Sequence, residues 1–291
     1  MGGRLALALL ALGACNAHLN QHSTSDAGSA DAPSGPIDAP SSSIDAPAAL
    51  GPWGTAQPIP GANDPALNED DGTPNQALTE LYFGVVNATT AKDLYWMTRA
   101  TPTDPWGPKQ LLAQSANNDE SPRLAPDELT LYYGRGGDIY MMTRATLTSP
   151  WSAPAIVPNV NVVGNTVYEK WMAVCDNSYY MLIRDSDVYE GTLGSAPTKV
   201  DSLSTTGSEI ATWLSKDCKT IMFAREPAMG QLDLMISTRG SVNAPWPAAT
   251  PLTDFNTTTY NEEDPWESND QHTFIFSSNA GGTKDLYIST R

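Results

Sequence analysis

The octapeptide KDLYWMTR at residues 92–99 reveals the architecture of this protein, because it recurs along the chain at near-regular intervals. Each copy is a short run of alternating polar and apolar residues that follows an aspartate, which is typical of a half-buried β-strand. The further copies are GDIYMMTR at 137–144, LDLMISTR at 232–239, KDLYISTR at 284–291 and a weaker SDVYEGT at 186–192.

Two other elements repeat with this strand. A Pro-Trp pair occurs at 52–53, 105–106, 150–151 and 245–246, with a weak equivalent at 196–197, so that successive positions are 45 to 53 residues apart. An acid-led segment with a second strand precedes each Asp-opened strand, and it is clearest as ESPRLAPD at 120–127 followed by LTLYYG at 129–134. Its counterparts are 80–83, 169–172 with 179–181, 209–213 with 220–223, and 263–266 with 274–276.

One repeat is therefore four short strands within roughly 48 residues, which is the size of a propeller blade. A single blade cannot bury both of its faces, so the blades are expected to stack radially into an all-β, five-bladed β-propeller. The repeat array begins with a Pro-Trp strand at 53–60 and ends with an Asp-opened strand at 285–291. Pairing of these two segments would complete the fifth blade and close the ring.

The Glu-x-Pro-x-x-x-Pro-Asp and Tyr-Tyr-Gly pattern at 117–144 resembles the WD40-like repeat of TolB-type propellers. The resemblance covers nearly all of 51–291 and is weakest at 163–203. It implies a propeller fold and an envelope-associated role. TolB-type proteins are expected to have six blades, so five is a departure from that pattern.

The first 50 residues differ from the rest. Residues 1–14 contain a basic start and an eight-residue apolar run at 5–12, which suits a signal peptide and is too short to span a bilayer. The sequence LGAC at 12–15 resembles the lipobox of bacterial lipoproteins, and this resemblance implies lipidation of Cys15. An ordinary secretory signal with a chance cysteine is the alternative. Residues 15–50, rich in Ala, Ser, Asp and Pro, are expected to be a disordered linker, and 51–291 to be the propeller domain.

These features predict a protein of the bacterial cell envelope, lipid-anchored and facing the periplasm or the cell surface, with no membrane contact beyond its anchor. The formal net charge of −17 argues against nucleic-acid binding. A monomer is expected. Cys175 and Cys218 form either a disulfide, as an oxidising compartment allows, or two buried thiols.

Residues that recur in every repeat are assigned to the scaffold. The tryptophans of the Pro-Trp pairs are expected to wedge between blades, with the arginines that end the Asp-opened strands stacked on them. The pairs in question are Trp53, Trp106, Trp151 and Trp246 with Arg99, Arg144, Arg239 and Arg291. Asp127, Asp176, Asp217 and Asp270 are expected to bond backbone amides in tight turns.

Acids near the start of the innermost strands are predicted to ring one mouth of the central channel: Asp70, Glu120, Glu169, Glu209 and Glu263. Asp70, Glu120, Glu209 and Glu263 are the candidate catalytic residues, although solvated acids would look the same. Clustered carboxylates attract cations, so Ca²⁺ is conceivable, but EF-hand spacing is absent from the sequence. No cofactor or metal site is therefore assigned.

Channel positions that break the repeat are the candidate binding residues: Asn75, Arg123, Trp171, Trp213 and Trp266. Tryptophan faces beside carboxylates suit sugar recognition, whereas packing is the alternative for all of them.

Three functions follow. The first is a non-catalytic binding module for a protein or glycan, since the sequence contains no Gly-x-Ser-x-Gly, His-Glu-x-x-His or phosphate-loop motif. The second is a glycoside hydrolase that uses paired channel carboxylates, by analogy with other five-bladed propellers. The third is a structural envelope component of the TolB-like type.

Overall fold

A computed structural model describes residues 50–86, 91–162, 164, 167–176, 178–226 and 230–291. The leader at 1–14, Cys15 and all of the linker except Leu50 lie outside the described residues, so those expectations stay predictions. The secondary structure of the described part is β-strand and turn, and no helix there is long and apolar enough to cross a membrane.

The strands form five antiparallel four-stranded sheets, which confirms the predicted five-bladed propeller. Blade 1 contains β2 (Asn68–Pro74), β3 (Glu80–Val86), β4 (Lys92–Thr98) and β5 (Gln110–Ala113). Blade 2 contains β6 (Asp119–Leu124), β7 (Thr130–Arg135), β8 (Asp138–Thr143) and β9 (Ala155–Ile156). Blade 3 contains β10 (Glu169–Val174), β11 (Tyr179–Arg184), β12 (Asp187–Thr192) and β13 (Thr198–Lys199). Blade 4 contains β14 (Ser208–Leu214), β15 (Thr220–Glu226), β16 (Asp233–Thr238) and β17 (Thr250–Pro251). Blade 5 contains β18 (Glu262–Glu267), β19 (Thr273–Ser278), β20 (Asp285–Thr290) and β1 (Gln57–Pro58).

The ring closes where β1, from the start of the domain, pairs with β20. Gln57 lies opposite Ile288 in this antiparallel pair, and the Gly54 amide extends it by donating to the Thr290 carbonyl at 2.9 Å. Neighbouring inner strands contact one another around the axis, and β18 contacts β2. The predicted closure is confirmed, and it leaves blade 5 with the same four strands as the others.

The innermost strand of every blade carries a β-bulge at the same place. The register shifts there, and the bulge residue adopts a positive φ of between 51° and 63°. These residues are Asp71, Ser121, Trp171, Ala211 and Asp264. A bulge adds a residue to one strand and redirects the side chains beyond it, so it decides which residues face the channel.

The core lies between the blades. Each second strand contributes a large side chain that is less than 2% exposed, such as Phe83, Tyr133 and Phe223. At the outer edge, the predicted stacking of arginine on tryptophan occurs in four blades at 3.9 to 4.6 Å from guanidinium to ring centroid. The pairs are Arg99–Trp106, Arg144–Trp151, Arg239–Trp246 and Arg291–Trp53.

The turns between the first and second strands of blades 2, 4 and 5 show the expected chemistry. The carboxylates of Asp127, Asp217 and Asp270 each accept a hydrogen bond from the backbone amide two residues later, at 2.9 to 3.1 Å. Cys175 lies in the corresponding turn of blade 3 and Cys218 in that of blade 4, and they form a disulfide with 5.5 Å between their Cα atoms. Of the two alternatives for this pair, the structure shows the bonded one, and the bond links blades 3 and 4.

Candidate functional site

The inner strands β2, β6, β10, β14 and β18 surround the propeller axis. We call the end where they begin the upper mouth and the end where they finish the lower mouth. The bulge separates the two: residues before it face the upper mouth, and residues after it approach the lower mouth.

One carboxylate per blade is buried at the start of the inner strand, and four of the five accept a hydrogen bond from a backbone amide of the preceding loop. They are Glu69, Asp119, Glu169, Glu209 and Glu262, each no more than 1% exposed. Glu209 shows the pattern: its carboxylate accepts from Arg225 Nε at 2.8 Å and from the Thr205 amide at 3.1 Å. Glu169 accepts likewise from Arg184 at 3.0 Å and the Val162 amide at 3.1 Å, and burial raises the pKa of Glu169.

The five acids that were predicted to ring one mouth therefore occupy two different positions, and only three of them belong to the ring. Asp70, Glu120 and Glu263 share the next position along their strands, whereas Glu169 and Glu209 occupy the buried loop-anchoring position one residue earlier. The residues that stand in the ring in blades 3 and 4 are Lys170 and Ile210. The upper mouth thus carries three carboxylates and a lysine, with an apolar residue in the fifth place.

Lysines neutralise these three carboxylates. Lys170 Nζ lies 2.8 Å from Glu120, and Lys284 Nζ lies 2.6 Å from Glu263. Lys92 Nζ lies 2.5 Å from both Asp70 and Asp71, with its own side chain only 10% exposed. The upper mouth is a network of ion pairs, of which Lys170–Glu120 joins blades 3 and 2 and Lys284–Asp70, at 3.6 Å, joins blades 5 and 1.

The two aspartates that share Lys92 differ in acidity. Burial raises the pKa of Asp70 to about 7. Burial would also raise the pKa of Asp71, but Lys92 holds it well below its ordinary value. Asp264, on the adjacent blade 5, accepts from the Asp71 amide at 3.0 Å, and burial together with the negative charge of Asp71 raises the pKa of Asp264 well above the usual range. The site therefore favours a proton on Asp264 and a charge on Asp71.

Trp171 crosses the axis. It occupies the bulge position of blade 3, where the other blades have Asp, Ser or Ala, and its indole Nε1 donates to Asp71 Oδ1 of blade 1 at 2.6 Å. A bulky residue at positive φ is uncommon, which marks this position as special. The Trp171 carbonyl also accepts a short hydrogen bond from the Thr212 hydroxyl of blade 4.

Arg123 crosses the axis one layer below. Its side chain is 3% exposed, and its Nε donates to the Thr212 carbonyl of blade 4 at 2.9 Å. Its Nη1 donates to the Pro122 carbonyl at 2.9 Å, while Nη2 has no hydrogen-bond partner and lies 4.0 Å from Asp264 Oδ1. Because Trp171 and Arg123 span the axis in two layers, the two mouths are separate sites.

The lower mouth brings three of the predicted binding residues together. Arg123, Trp213 and Trp266 occupy equivalent positions in blades 2, 4 and 5 and line a cavity of about 50 Å³ on the axis. Both tryptophans are largely buried, at 8% and 4% exposed. Asn75 lies beside this mouth, but its side chain accepts from the Thr79 and Glu80 amides and so shapes the turn after β2.

The upper mouth has an aromatic shelf that the sequence analysis did not identify. Tyr168 precedes β10 and is 64% exposed, and it lines a pocket of about 460 Å³ with Lys170 and Trp171. Lys170 Nζ lies 6.0 Å from the Tyr168 ring centroid and 5.5 Å from that of Trp171. Asp185 and Ser186 complete the polar side of the pocket, and Ile183 and Ile210 the apolar side.

The sequence contains a signal that could have identified two of the lysines that pair with these acids. Lys92 and Lys284 open the first and last copies of the repeated octapeptide, where the other copies have Gly, Ser or Leu. Across the described ranges, no three His, Cys, Asp or Glu side chains are placed to hold a metal ion.

Comparison with known proteins identifies the fold of this chain but does not assign the chain to a family. No protein-family profile matches the chain, and no curated protein matches it. Among solved structures, an α-L-arabinofuranosidase from Podospora anserina in complex with cellotriose is 16% identical, with 82% of this chain and 96% of that chain aligned at a TM-score of 0.56. An endo-arabinase from Bacteroides thetaiotaomicron is 12% identical over 80% of this chain and 96% of that chain, at a TM-score of 0.53.

TolB from Acinetobacter baumannii is also similar, at 13% identity over 77% of this chain and 55% of that chain, with a TM-score of 0.48. Identities this low support a common fold only, and the lower TolB score adds no argument to it. The comparisons therefore place this chain with β-propellers by fold, and its function has to be argued from its own residues.

Proposed function

We propose that this protein is a non-catalytic binding module, anchored in the cell envelope through Cys15, that binds a glycan at the upper mouth. The observation that carries the proposal is the shelf formed by Tyr168, Lys170 and Trp171. An exposed tyrosine and a half-buried tryptophan offer ring faces to the C–H surfaces of a sugar. Lys170 and Asp185 offer a donor and an acceptor for its hydroxyl groups.

The size and rigidity of the shelf support this ligand class. A volume of about 460 Å³ lies within the range of small-molecule sites. Tyr168 is held on both sides, because its amide donates to Asp185 Oδ1 at 2.9 Å and its carbonyl accepts from the Asp185 amide at 3.1 Å. A pre-formed site loses little conformational entropy when it binds a ligand.

The proposal is tested by glycan-array binding of the purified domain. Tyr168→Ala should abolish or strongly reduce the signal, because it removes the exposed ring on which the sugar would stack. Tyr260→Ala is the matched control, because Tyr260 is 38% exposed in the loop before β18 and does not line this pocket. Equal binding by both variants and the parent protein would contradict the proposal, as would a parent protein that binds no glycan.

A glycoside hydrolase is the second candidate. The specific observation in its favour is the pKa of Asp70, which burial raises to about 7 beside the charged Asp71, because one protonated and one ionised carboxyl group is the pairing that glycosidases use. Two of the three similar structures named above are an α-L-arabinofuranosidase and an endo-arabinase, and at their identity this likeness concerns the fold alone. Against this candidate, Lys92 lies 2.5 Å from both carboxylates.

A hydrolysis screen on arabinan, xylan and cello-oligosaccharides separates the two candidates. Release of sugar that Glu120→Gln, Glu263→Gln or Asp70→Asn abolishes would establish the hydrolase. Binding without release, unchanged by Glu263→Gln, would support the binding module, because Glu263 pairs with Lys284 and does not line the pocket of Tyr168.

A further inference from the structure

Among the described residues, no cation pairs with the carboxylate that lines the pocket of Tyr168. This carboxylate belongs to Asp185, which is exposed and lines the pocket of about 460 Å³. Its Oδ1 accepts a hydrogen bond from the Tyr168 amide at 2.9 Å, whereas its Oδ2 makes no hydrogen bond or ion pair with any residue that the structure describes. The gaps between the described ranges of 51–291 contain no lysine or arginine. An uncompensated negative charge therefore lines the pocket.

The cations nearest to this carboxylate along the chain are committed to other acids. Each lysine and arginine of blade 3 has a nitrogen within 3.0 Å of a carboxylate oxygen. The pairs are Lys170–Glu120, Arg184–Glu169 and Lys199–Asp187. Lys170 also lines the pocket, but Glu120 balances its charge. The pocket thus keeps the negative charge of Asp185, and the formal net charge of −17 for the whole chain also attracts cations and repels anions.

The ring of Tyr168 is held in place in the same pocket. The residue is 64% exposed, and its ring rests against Gly137 of blade 2, where a Cβ atom would lie 3.1 Å from Tyr168 Cδ1. The Glu169 amide donates to the Gly137 carbonyl at 2.8 Å, which fixes the chain next to the ring. An aromatic face attracts a cation through its quadrupole. The ring and the carboxylate therefore both favour a ligand with a positive charge.

We propose that the glycan bound at this shelf is an amino sugar with a free, protonated amine, which donates to Asp185 while the sugar ring stacks on Tyr168. This inference rests on the proposed glycan-binding function and adds the chemical class of the sugar. An ammonium group forms a charge-assisted hydrogen bond with a carboxylate, whereas a hydroxyl or an N-acetyl group donates without a charge. An acidic sugar would bring a second negative charge to Asp185, which is unfavourable.

The test measures the affinity of the whole protein for three β-1,4-linked trisaccharides by calorimetric titration. The probes are the glucosamine trimer, the N-acetylglucosamine trimer and cellotriose, which differ only in the group at carbon 2. We expect the glucosamine trimer to bind about tenfold more tightly than cellotriose, as a charge-assisted hydrogen bond allows. Added salt should reduce this difference, because it screens an exposed charge, and should leave the affinity for cellotriose unchanged.

Substitution of Asp185 separates its charge from its role in the turn. Asp185→Asn keeps an oxygen that accepts from the Tyr168 amide and removes the charge. The affinity for the glucosamine trimer should fall about tenfold, to that of cellotriose, while the affinity for cellotriose is unchanged. Asp254→Asn is the matched control, because Asp254 is an exposed aspartate in the loop before β18 that does not line this pocket. It should leave both affinities unchanged.

Substitution of Glu120 tests the charge balance of the pocket from the other side. Glu120→Gln leaves Lys170 without its carboxylate partner, so a positive charge then opposes Asp185. The affinity for the glucosamine trimer should fall about threefold, as expected for one partly exposed charge. The affinity for cellotriose, which carries no charge, should stay the same.

The outcomes distinguish this inference from the function on which it rests. Equal affinity for the three trisaccharides, tighter binding of the acetylated trimer, or an unchanged preference in Asp185→Asn would overturn the amino-sugar inference and leave glycan binding at Tyr168 in place. Tighter binding of trilysine than of the glucosamine trimer would assign the charge of Asp185 to a basic peptide and would also overturn it. Absence of binding by all three sugars, or equal binding by Tyr168→Ala, would contradict the proposed function itself.

Discussion

The guanidinium of Arg291 lies 3.9 Å from the ring centroid of Trp53, across 238 positions of sequence. The same Arg–Trp contact occurs within blades 1, 2 and 4 between residues that are neighbours along the chain, at 4.0 to 4.6 Å. In blade 5 the contact instead joins the two ends of the domain. Trp53 also packs on Phe255 and Phe274 at 5.4 and 5.8 Å between ring centroids, so it fastens the closing strand to the core.

Trp53→Ala should therefore destabilise the whole ring. We expect the free energy of unfolding in urea to fall by about 3 kcal/mol, the lower end for a large-to-small change because Trp53 is half-buried. Arg291→Ala should cost about 1 kcal/mol, and the double variant should show coupling of about 0.5–1 kcal/mol. Additive losses in this cycle would mean that the stacked pair does not act as a unit.

The Cys175–Cys218 bond closes a loop with a sequence separation of 43. In the chain-entropy account, a loop of this length gives about 4 kcal/mol of stability, and measured values are commonly 2–4 kcal/mol. We expect Cys175→Ser with Cys218→Ser to lower the urea midpoint accordingly. Reductant should lower the midpoint of the parent protein and leave that of the double variant unchanged. An effect of reductant on the double variant would contradict this assignment.

Substitution of Glu209 should affect stability, and substitution of Tyr168 should affect glycan binding. Glu209 is fully buried between Arg225 and the Thr205 amide, so Glu209→Ala leaves a buried cation unpaired and should cost about 3–5 kcal/mol. Tyr168→Ala removes an exposed side chain and should change stability by less than about 1 kcal/mol while it removes glycan binding. Thermal unfolding and glycan binding of both variants check this. A Glu209→Ala protein of unchanged stability that has lost binding would place Glu209 in the site instead of the scaffold.

The pH dependence of stability should show the raised pKa of Asp70. In the unfolded chain this carboxyl titrates near 3.8, and in the folded protein near 7, so between these values the folded state holds a proton that the unfolded state has lost. Stability must then decrease as the pH rises from about 4 to 7 through this group. Asp264, whose pKa is also raised, acts in the same direction.

Asp70→Asn removes one of these two titrations. The fall in melting temperature between pH 5 and 7 should become shallower in this variant, without disappearing, because Asp264 remains. Glu128→Gln is a control, since Glu128 lies on the lower rim away from Lys92. A slope that is the same in Asp70→Asn and the parent protein would show that Asp70 is ionised throughout this range.

The roles of residues that recur in the repeats could be predicted from the sequence, whereas the roles of residues that occur once could not. The strands, the Arg–Trp stacks and the turn aspartates follow from patterns that occur several times, so that each copy supports the others. Glu209 could not be told from Glu120 in the same way, because the inner strands carry an acid at either of two neighbouring positions before the bulge, and a difference of one residue moves a side chain from a buried loop anchor to the channel.

The amino-acid sequence alone determined a five-bladed propeller and its closure, since alternation, turn residues and the 45- to 53-residue spacing are local properties repeated along one chain. Only the tertiary structure decided the chemistry of the axis: that Lys92 serves both Asp70 and Asp71, that Trp171 and Arg123 divide the channel, and that Tyr168 stands exposed at its mouth. The physical reason is that each of these contacts joins different blades or depends on a bulge, so that its distance and burial are set by the closed ring and not by neighbours in sequence.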